Sequence, residues 1–322
     1  MTRPALIGDI GGTNARFALV TPDTFKPHDI QSLPCADYPS LVDAIRDYLA
    51  RVGHDGESAP REACLAFACP VHDDRVRMTN NAWEFSRRDV QRELDLTLFK
   101  VINDFTAQAL GVPHVDASNL VAIGEGRATE GCARLVIGPG TGLGVAGVFP
   151  GQHAWVPLPT EGGHVTFAPT DEREQNLLRY FRSRYGRVSV ERILCGQGLL
   201  DLYCAHASLK GANPRYTTPA EVTSAANEGD AIAVDTVKRF LKILGDVCGD
   251  AALTLGARGG VYLCGGILPR LLNWLPKSRF REAFTDKGRM SAYNADIPTW
   301  VVTAPWTGLL GAAEALHNEE VA

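Results

Sequence analysis

In "ALIGDIGGTNARFALV", Asp9 stands between two short apolar runs and is followed by Gly11, Gly12, Thr13 and Asn14. Glycines admit positive φ and keep side chains out of the way. A turn of exposed backbone N–H groups makes an anion nest, and Thr13 and Asn14 add side-chain donors. A carboxylate repels a bare phosphate, so Asp9 suits the place only if a Mg²⁺ ion sits between the two, directly or through water. A Gly-rich hairpin with a solvated Asp is the plainer alternative. In "VINDFTAQA" an apolar run closes on Asn103 and Asp104. Asp104 there either caps the following helix or acts as a general base, which requires a carboxylate held within hydrogen-bond reach of a hydroxyl. "PLPTEGGHVTFAP" sets Glu161 and His164 around Gly162 and Gly163. The glycines allow close approach, and the acid and imidazole suit the hydroxyls of a polyol, although a lone His is as often structural. "VSVERILCGQGL" adds Glu191 and Arg192, which also fit a helix-start acid and a surface cation.

These residues need rigid elements to hold them. Leu6–Ile7 and Phe17–Val20 read as two strands bracketing the first turn. "RLVIGPGTGLGVAGVF", Arg134 to Phe149, repeats the pattern of apolar run, Gly-Thr turn and apolar run roughly 130 residues later, a weak internal repeat of two phosphate-facing turns. "EACLAFACP" and "LFKVIND" read as strands, the latter ending at Asn103 and Asp104, with a helix starting near Thr106. "SLVDAIRDYLARVG" has a Ser cap, helical apolar spacing and a terminal Gly, and "FSRRDVQREL" is a helix after Ser86. The later chain is more helical, in "EQNLLRYFRSRYG", "DAIAVDTVKRFLKILGDVCGDAALTLG" and "TGLLGAAEALHNEE". "GGVYLCGGILPR" is a strand ending at Gly265 and Gly266. Strands and helices mix throughout, so the class is α/β.

Two familiar phosphate signatures fare worse: a dinucleotide fingerprint, which leaves a dehydrogenase the weakest alternative, and a P-loop. "GLGVAG" (Gly142 to Gly147) fits GxGxxG, with Glu161 at a plausible distance for a ribose-binding acid, but that fingerprint must open a helix. Here β-branched residues and then Phe149, Pro150 and Gly151 follow, which makes a strand. A P-loop is absent because no Gly-Lys dipeptide occurs.

At 322 residues, 45% hydrophobic and 21% charged, the chain has the composition of one or two globular domains. Its net charge of −5 argues against nucleic-acid partners. Eight cysteines are scattered without CxxC or CxC, so zinc and dithiol chemistry are not indicated. Buried free thiols in a reducing cytoplasm are expected. The first apolar run, cut by Asp9, does not form a signal peptide, and no run reaches the ~18 apolar residues of a membrane span.

Taken in order, "GDIGGTNARFAL", "INDFTAQA", "GPGTGLGVA", "EGGHVTFAP", "ERILCGQGL" and "LCGGILPR" resemble the bacterial glucokinases, ATP-dependent hexose kinases. The match runs from about Ala5 to about Gly311. The zinc cluster of the related repressor-type sugar kinases is missing, which points to the non-zinc branch. The resemblance implies a two-domain actin-like ATPase (ribonuclease H-like) fold with mixed sheets and an interdomain cleft. The small domain would be residues 1–113, with the terminal helix (305–322) packing back on it, and the large domain 114–304. Phosphorylation of D-glucose on its 6-hydroxyl by ATP with Mg²⁺ is implied, with Asp104 as base. Gly8, Asp9, Ile10, Gly11, Gly12 and Thr13 would form the first phosphate loop, with Asp9 toward Mg²⁺. Gly140, Thr141 and Gly142 would form the second, and Gly265 and Gly266 would flank the adenosine. Asn103, Asp104, Glu161, His164 and Glu191 match glucose-contacting positions. Family likeness also implies a cytoplasmic homodimer with small-molecule substrates and no nucleic-acid or membrane partner. A related hexose or N-acyl hexosamine kinase is the alternative. A non-catalytic sugar-sensing regulator fits less well, given Asp104 and a motif block that starts by residue 5.

Overall fold

The structure is a computed structural model that describes residues 3–21, 25–71, 73–79 and 81–321. In chain order it begins with strands β1 (Ala5–Ile10), β2 (Asn14–Val20) and β3 (His28–Pro34), then helix α1 (Leu41–Arg51) and β4 (Glu62–Phe67). A short ribbon, β5 (Arg75–Arg77) with β6 (Glu84–Ser86), leads to α2 (Arg87–Glu93), β7 (Leu98–Asn103) and α3 (Asp104–Gly111). Next come β8 (Leu120–Ala122), β9 (Arg134–Pro139), β10 (Leu143–Pro150) and β11 (Trp155–Pro159). Helices α4 (Glu172–Tyr185), α5 (Gly196–Leu209), α6 (Pro219–Asn227) and α7 (Ala231–Leu255) precede β12 (Val261–Leu263). The chain closes with α8 (Phe280–Thr285), α9 (Ser291–Ala295), β13 (Thr299–Val302) and α10 (Thr307–His317).

The chain divides into two compact units. One comprises Met1–Ala117, Val148–Leu158 and Ala304–Ala322, and the other Ser118–Gly147 and Pro159–Thr303. The tip of the β10–β11 hairpin, Val148–Leu158, thus departs from the sequence expectation. It lies within residues 114–304, yet it belongs to the first unit. Apolar alternation identifies a strand but does not say which core that strand joins.

The first unit is built on a mixed sheet of order β3-β2-β1-β4-β7. β1 runs antiparallel to β2 and parallel to β4, and β4 runs parallel to β7. β4 is buried from Ala63 through Phe67, as a central strand covered on both faces must be. The Ser40 hydroxyl accepts from the Asp43 N–H to start α1, whose Leu41, Ile45, Tyr48 and Leu49 enter the core. Each such burial contributes about 1.5–3 kcal/mol. Helix α10 packs on α3 through glycines. A Cβ on Gly311 would strike the carbonyl of Ala107, and one on Gly111 would strike that of Thr307.

The sheet ordered β11-β10-β9-β12-β13-β8 is also mixed, with β12 parallel to β9 and β13, and β8 antiparallel to β13. Both sheets carry a run of three consecutive strands followed by two parallel ones, so the repeat seen in the glycine turns extends to strand order. Helix α7 is the long element of the second unit. Asp230 caps it through the N–H groups of Ile232 and Ala233, and Gly256 ends it in the left-handed region. The fully buried Glu174 of α4 accepts from Arg239 (2.7 Å) and Lys242 (2.8 Å) of α7, and Lys242 also reaches Asp246 at 2.7 Å.

Candidate active site

In the first unit the β1–β2 turn is closed by Gly11 N donating to the Asn14 carbonyl at 2.9 Å. Its own carbonyls are held from behind. Gly11 O accepts from Asn81 Nδ2 at 3.5 Å and from the Cys35 thiol at 3.7 Å, and Thr13 O accepts from Cys35 N at 2.8 Å. The register pairs Asp9 with Arg16, and the Arg16 guanidinium donates to Asp9 Oδ2 at 3.3 Å. Arg16 was not among the candidates. The hairpin register places it opposite Asp9, a signal the sequence does contain.

Asp104 is not the helix cap. Asn103 is, its Oδ1 accepting from Phe105 N (2.9 Å) and Thr106 N (3.3 Å). Helix α3 therefore starts at Asp104, two residues earlier than expected. The Asp104 carboxylate accepts from Phe105 N at 2.9 Å. Burial, and then the negative charge of Asp9, push its pKa up to about 6. Burial also raises Asp9, with Arg16 acting against it. Gly308, in the first turn of α10, faces the same acid. A Cβ there would stand 3.2 Å from Asp9 Cγ and 3.3 Å from Gln108 Nε2.

In the second unit the turn between β9 and β10 holds Gly140, Thr141 and Gly142. Gly140 N donates to Gly142 O at 2.8 Å, and Gly140 O accepts from Gly196 N at 2.9 Å. β10 continues as a strand from Leu143, so "GLGVAG" opens no helix and the dinucleotide reading is excluded. Gly265 and Gly266 follow β12, where Cys264 N bonds to Ile137 O at 2.8 Å. The Pro139 carbonyl lies 2.6 Å from where a Gly265 Cβ would be, so this glycine pair adjoins the Gly140 turn.

Glu161, His164 and Glu191 come together in this unit. His164 Nε2 is 3.9 Å from Glu161 Oε2, and Nδ1 is 3.8 Å from Glu191 Oε1. Glu191 N donates to Gly163 O at 2.9 Å, and its Oε2 accepts from Leu143 N at 2.9 Å. Glu161 and His164 stand open to solvent, at 79% and 59% side-chain exposure, while Glu191 is at 29%. Glu191 is no helix-start acid, because α5 begins at Gly196 behind the cap Cys195. Arg192 is exposed, 4.6 Å over the Tyr185 ring.

All eight cysteines are free. Among the described residues, no three His, Cys, Asp or Glu side chains group closely enough to hold a metal by themselves. No helix among them is long and apolar enough to cross a membrane. A cavity of about 530 Å³ in the first unit, lined by Phe25, His114, Trp155 and Glu314, includes none of the candidate residues.

Comparison with known proteins adds a family. The model of the glucokinase family matches residues 6–319. A glucokinase of Chromohalobacter salexigens is 74% identical over 321 residues, covering 100% of both chains. The crystal structure of a glucokinase from an Antarctic psychrotroph superposes with a TM-score of 0.90 at 38% identity, over 99% of this chain and 100% of that one. A glucokinase of Balamuthia mandrillaris in complex with glucose gives 0.76 at 22% identity, over 98% of this chain and 93% of the other, a likeness of fold.

Proposed function

Because the chain belongs to the glucokinase family, we propose that it transfers the γ-phosphoryl group of ATP to the 6-hydroxyl of D-glucose, with Asp104 as general base. The observation that carries the reading is the state of Asp104. The cap is supplied by Asn103, and burial beside Asp9 leaves a carboxylate with a pKa of about 6, a value suited to a base working near neutral pH. Asp104 would take the proton as the sugar oxygen attacks phosphorus. Phosphoryl transfer of this kind depends mainly on positioning and on neutralising charge.

The two glycine turns are read as phosphate loops, Gly8 to Thr13 in the first unit and Gly140 to Gly142 in the second, with Gly265 and Gly266 beside the adenosine. The turn tied down through the Gly11 and Thr13 carbonyls supports this, since Asn81 and Cys35 hold its backbone from behind. Asn103, Asp104, Glu161, His164 and Glu191 are read as the sugar contacts. Mg²⁺ fits the donor set. Asp9 and Asp104 are two raised acids with Arg16 the cation at hand. Asp9 is the residue that would hold the ion, and among the described residues no group of three such side chains offers a separate site. Bound so, Mg²⁺ would supply charge neutralisation on the phosphates. The same membership supports a cytoplasmic homodimer, which fractionation and sedimentation would test.

ATP consumption measured over a panel of hexoses and N-acyl hexosamines tests the activity. Glucose should be the preferred acceptor, and turnover on an N-acyl hexosamine but not on glucose would refute the reading. EDTA should abolish turnover and Mg²⁺ alone restore it, and restoration by zinc but not by Mg²⁺ would contradict the assignment of Asp9. Glu161→Ala should raise the KM for glucose far more than that for ATP, because a site built to bond hydroxyls depends on each partner. Unchanged glucose kinetics would remove Glu161 from the sugar contacts.

A further inference from the structure

Glu191 touches more than the sugar loop. One carboxylate oxygen faces His164, and the other accepts the Leu143 N–H at 2.9 Å, where β10 leaves the Gly140–Gly142 turn. A Cβ placed on Gly142 would lie 2.5 Å from that same Oε2, with the Glu191 Cδ at 3.3 Å as the next neighbour. Gly142 φ lies outside the left-handed region, so the backbone itself accepts an L side chain. What the position excludes is the carboxylate, the far end of a flexible side chain. A methyl at Gly142 would therefore displace Glu191 and leave the fold in place.

We propose that Gly142, in the phosphate turn, is a positioning residue for the sugar: the space it leaves empty seats the Glu191 carboxylate, and through that seat the turn and the sugar loop are set together. The inference rests on the glucokinase reading above. Glu191 is the link. Its backbone is tied to Gly163, one of its oxygens faces His164 and the other is tied to Leu143. A ligand that fixes one end of this link favours the geometry of the other. Coupling of this kind between two binding sites is reciprocal.

The test is calorimetric titration of glucose into nucleotide-free protein. Gly142→Ala should bind glucose about tenfold more weakly, the loss expected when a charged hydrogen-bonding group is moved off its partner. Gly196→Ala, at the start of α5, is the control, because a Cβ there meets its nearest atom at an ordinary 3.6 Å, and its glucose affinity should stay near the wild-type value. In a Glu191→Asp background the shorter side chain withdraws from Gly142, so adding Gly142→Ala should cost little more. The reverse arm titrates Mg·ADP into sugar-free Glu191→Ala, which should bind it several-fold more weakly. Wild-type glucose affinity in a folded Gly142→Ala overturns the inference. Should that variant fail to fold, unchanged Mg·ADP binding by Glu191→Ala overturns it. Failure of the wild type to bind glucose defeats the functional reading itself, and the inference with it.

Discussion

Asp104→Asn should lower turnover by about 10²–10⁴-fold, the range for loss of a general base, while glucose affinity measured by calorimetry changes little. The amide keeps the size of the side chain and can still meet a hydroxyl, but it cannot take the proton. A capping role would have predicted near-normal turnover, since Asn caps as well as Asp. The structure gives that role to Asn103. The pH dependence follows from the same group. With the Asp104 pKa pushed up to about 6, kcat/KM should fall about tenfold per pH unit below 6 as the base is protonated. Stability should move the other way. A raised carboxyl binds its proton more tightly in the folded state, so the ionised form costs stability above pH 6, and that cost fades as pH falls toward the ordinary carboxyl range near 4. Asp104→Asn should therefore melt higher than wild type at pH 7.5 and lose that advantage near pH 4. Near-normal turnover in the folded variant would end the proposed mechanism.

Gly311→Ala should destabilise the first unit by about 3 kcal/mol, the upper part of the usual range for overpacking. Helix propensity alone points the other way, since Ala is favoured over Gly inside a helix by about 1 kcal/mol. Tertiary contact decides the sign. The new methyl would overlap the Ala107 carbonyl, which is backbone and cannot rotate aside. Helices α3 and α10 must then separate, and α3 carries Asp104 at its first position. Turnover should fall together with the melting temperature. A Gly311→Ala protein that melts like wild type would show that the two helices have room to yield.

Local pattern carried much of the fold into view. The Ser40 and Ser86 caps, the apolar run of β4 and the β1–β2 and β9–β10 turns all follow from short-range chemistry, and each is found where residue spacing predicts it. Features set by contacts distant in sequence were not visible. Nothing local says that Asn103 caps and Asp104 does not, because either residue type caps well and the choice lies in one backbone step. The buried set of Glu174, Arg239 and Lys242 joins positions 65 and 68 apart in the sequence, and each of the three reads alone as an ordinary surface charge. The seat of Glu191 beside Gly142 depends on a loop folding back on a turn. The assignment of Val148–Leu158 to the first unit depends on which core accepts the hairpin tip.

The first unit is assembled from three separated pieces of chain, and this bears on how the protein is made. Helix α3 emerges from the ribosome long before α10, the helix that packs on it. His114, just after α3, and Glu314 of α10, bonded at 2.8 Å, are 200 residues apart. Throughout that interval of translation the glycine face of α3 has no partner, and Asp9 lacks the helix start that faces it. Residues 118–147 and 159–303, by contrast, are complete once β13 has been synthesised. The nascent chain therefore finishes its second unit first, and the setting of the proposed base is completed only when α10 has emerged to dock.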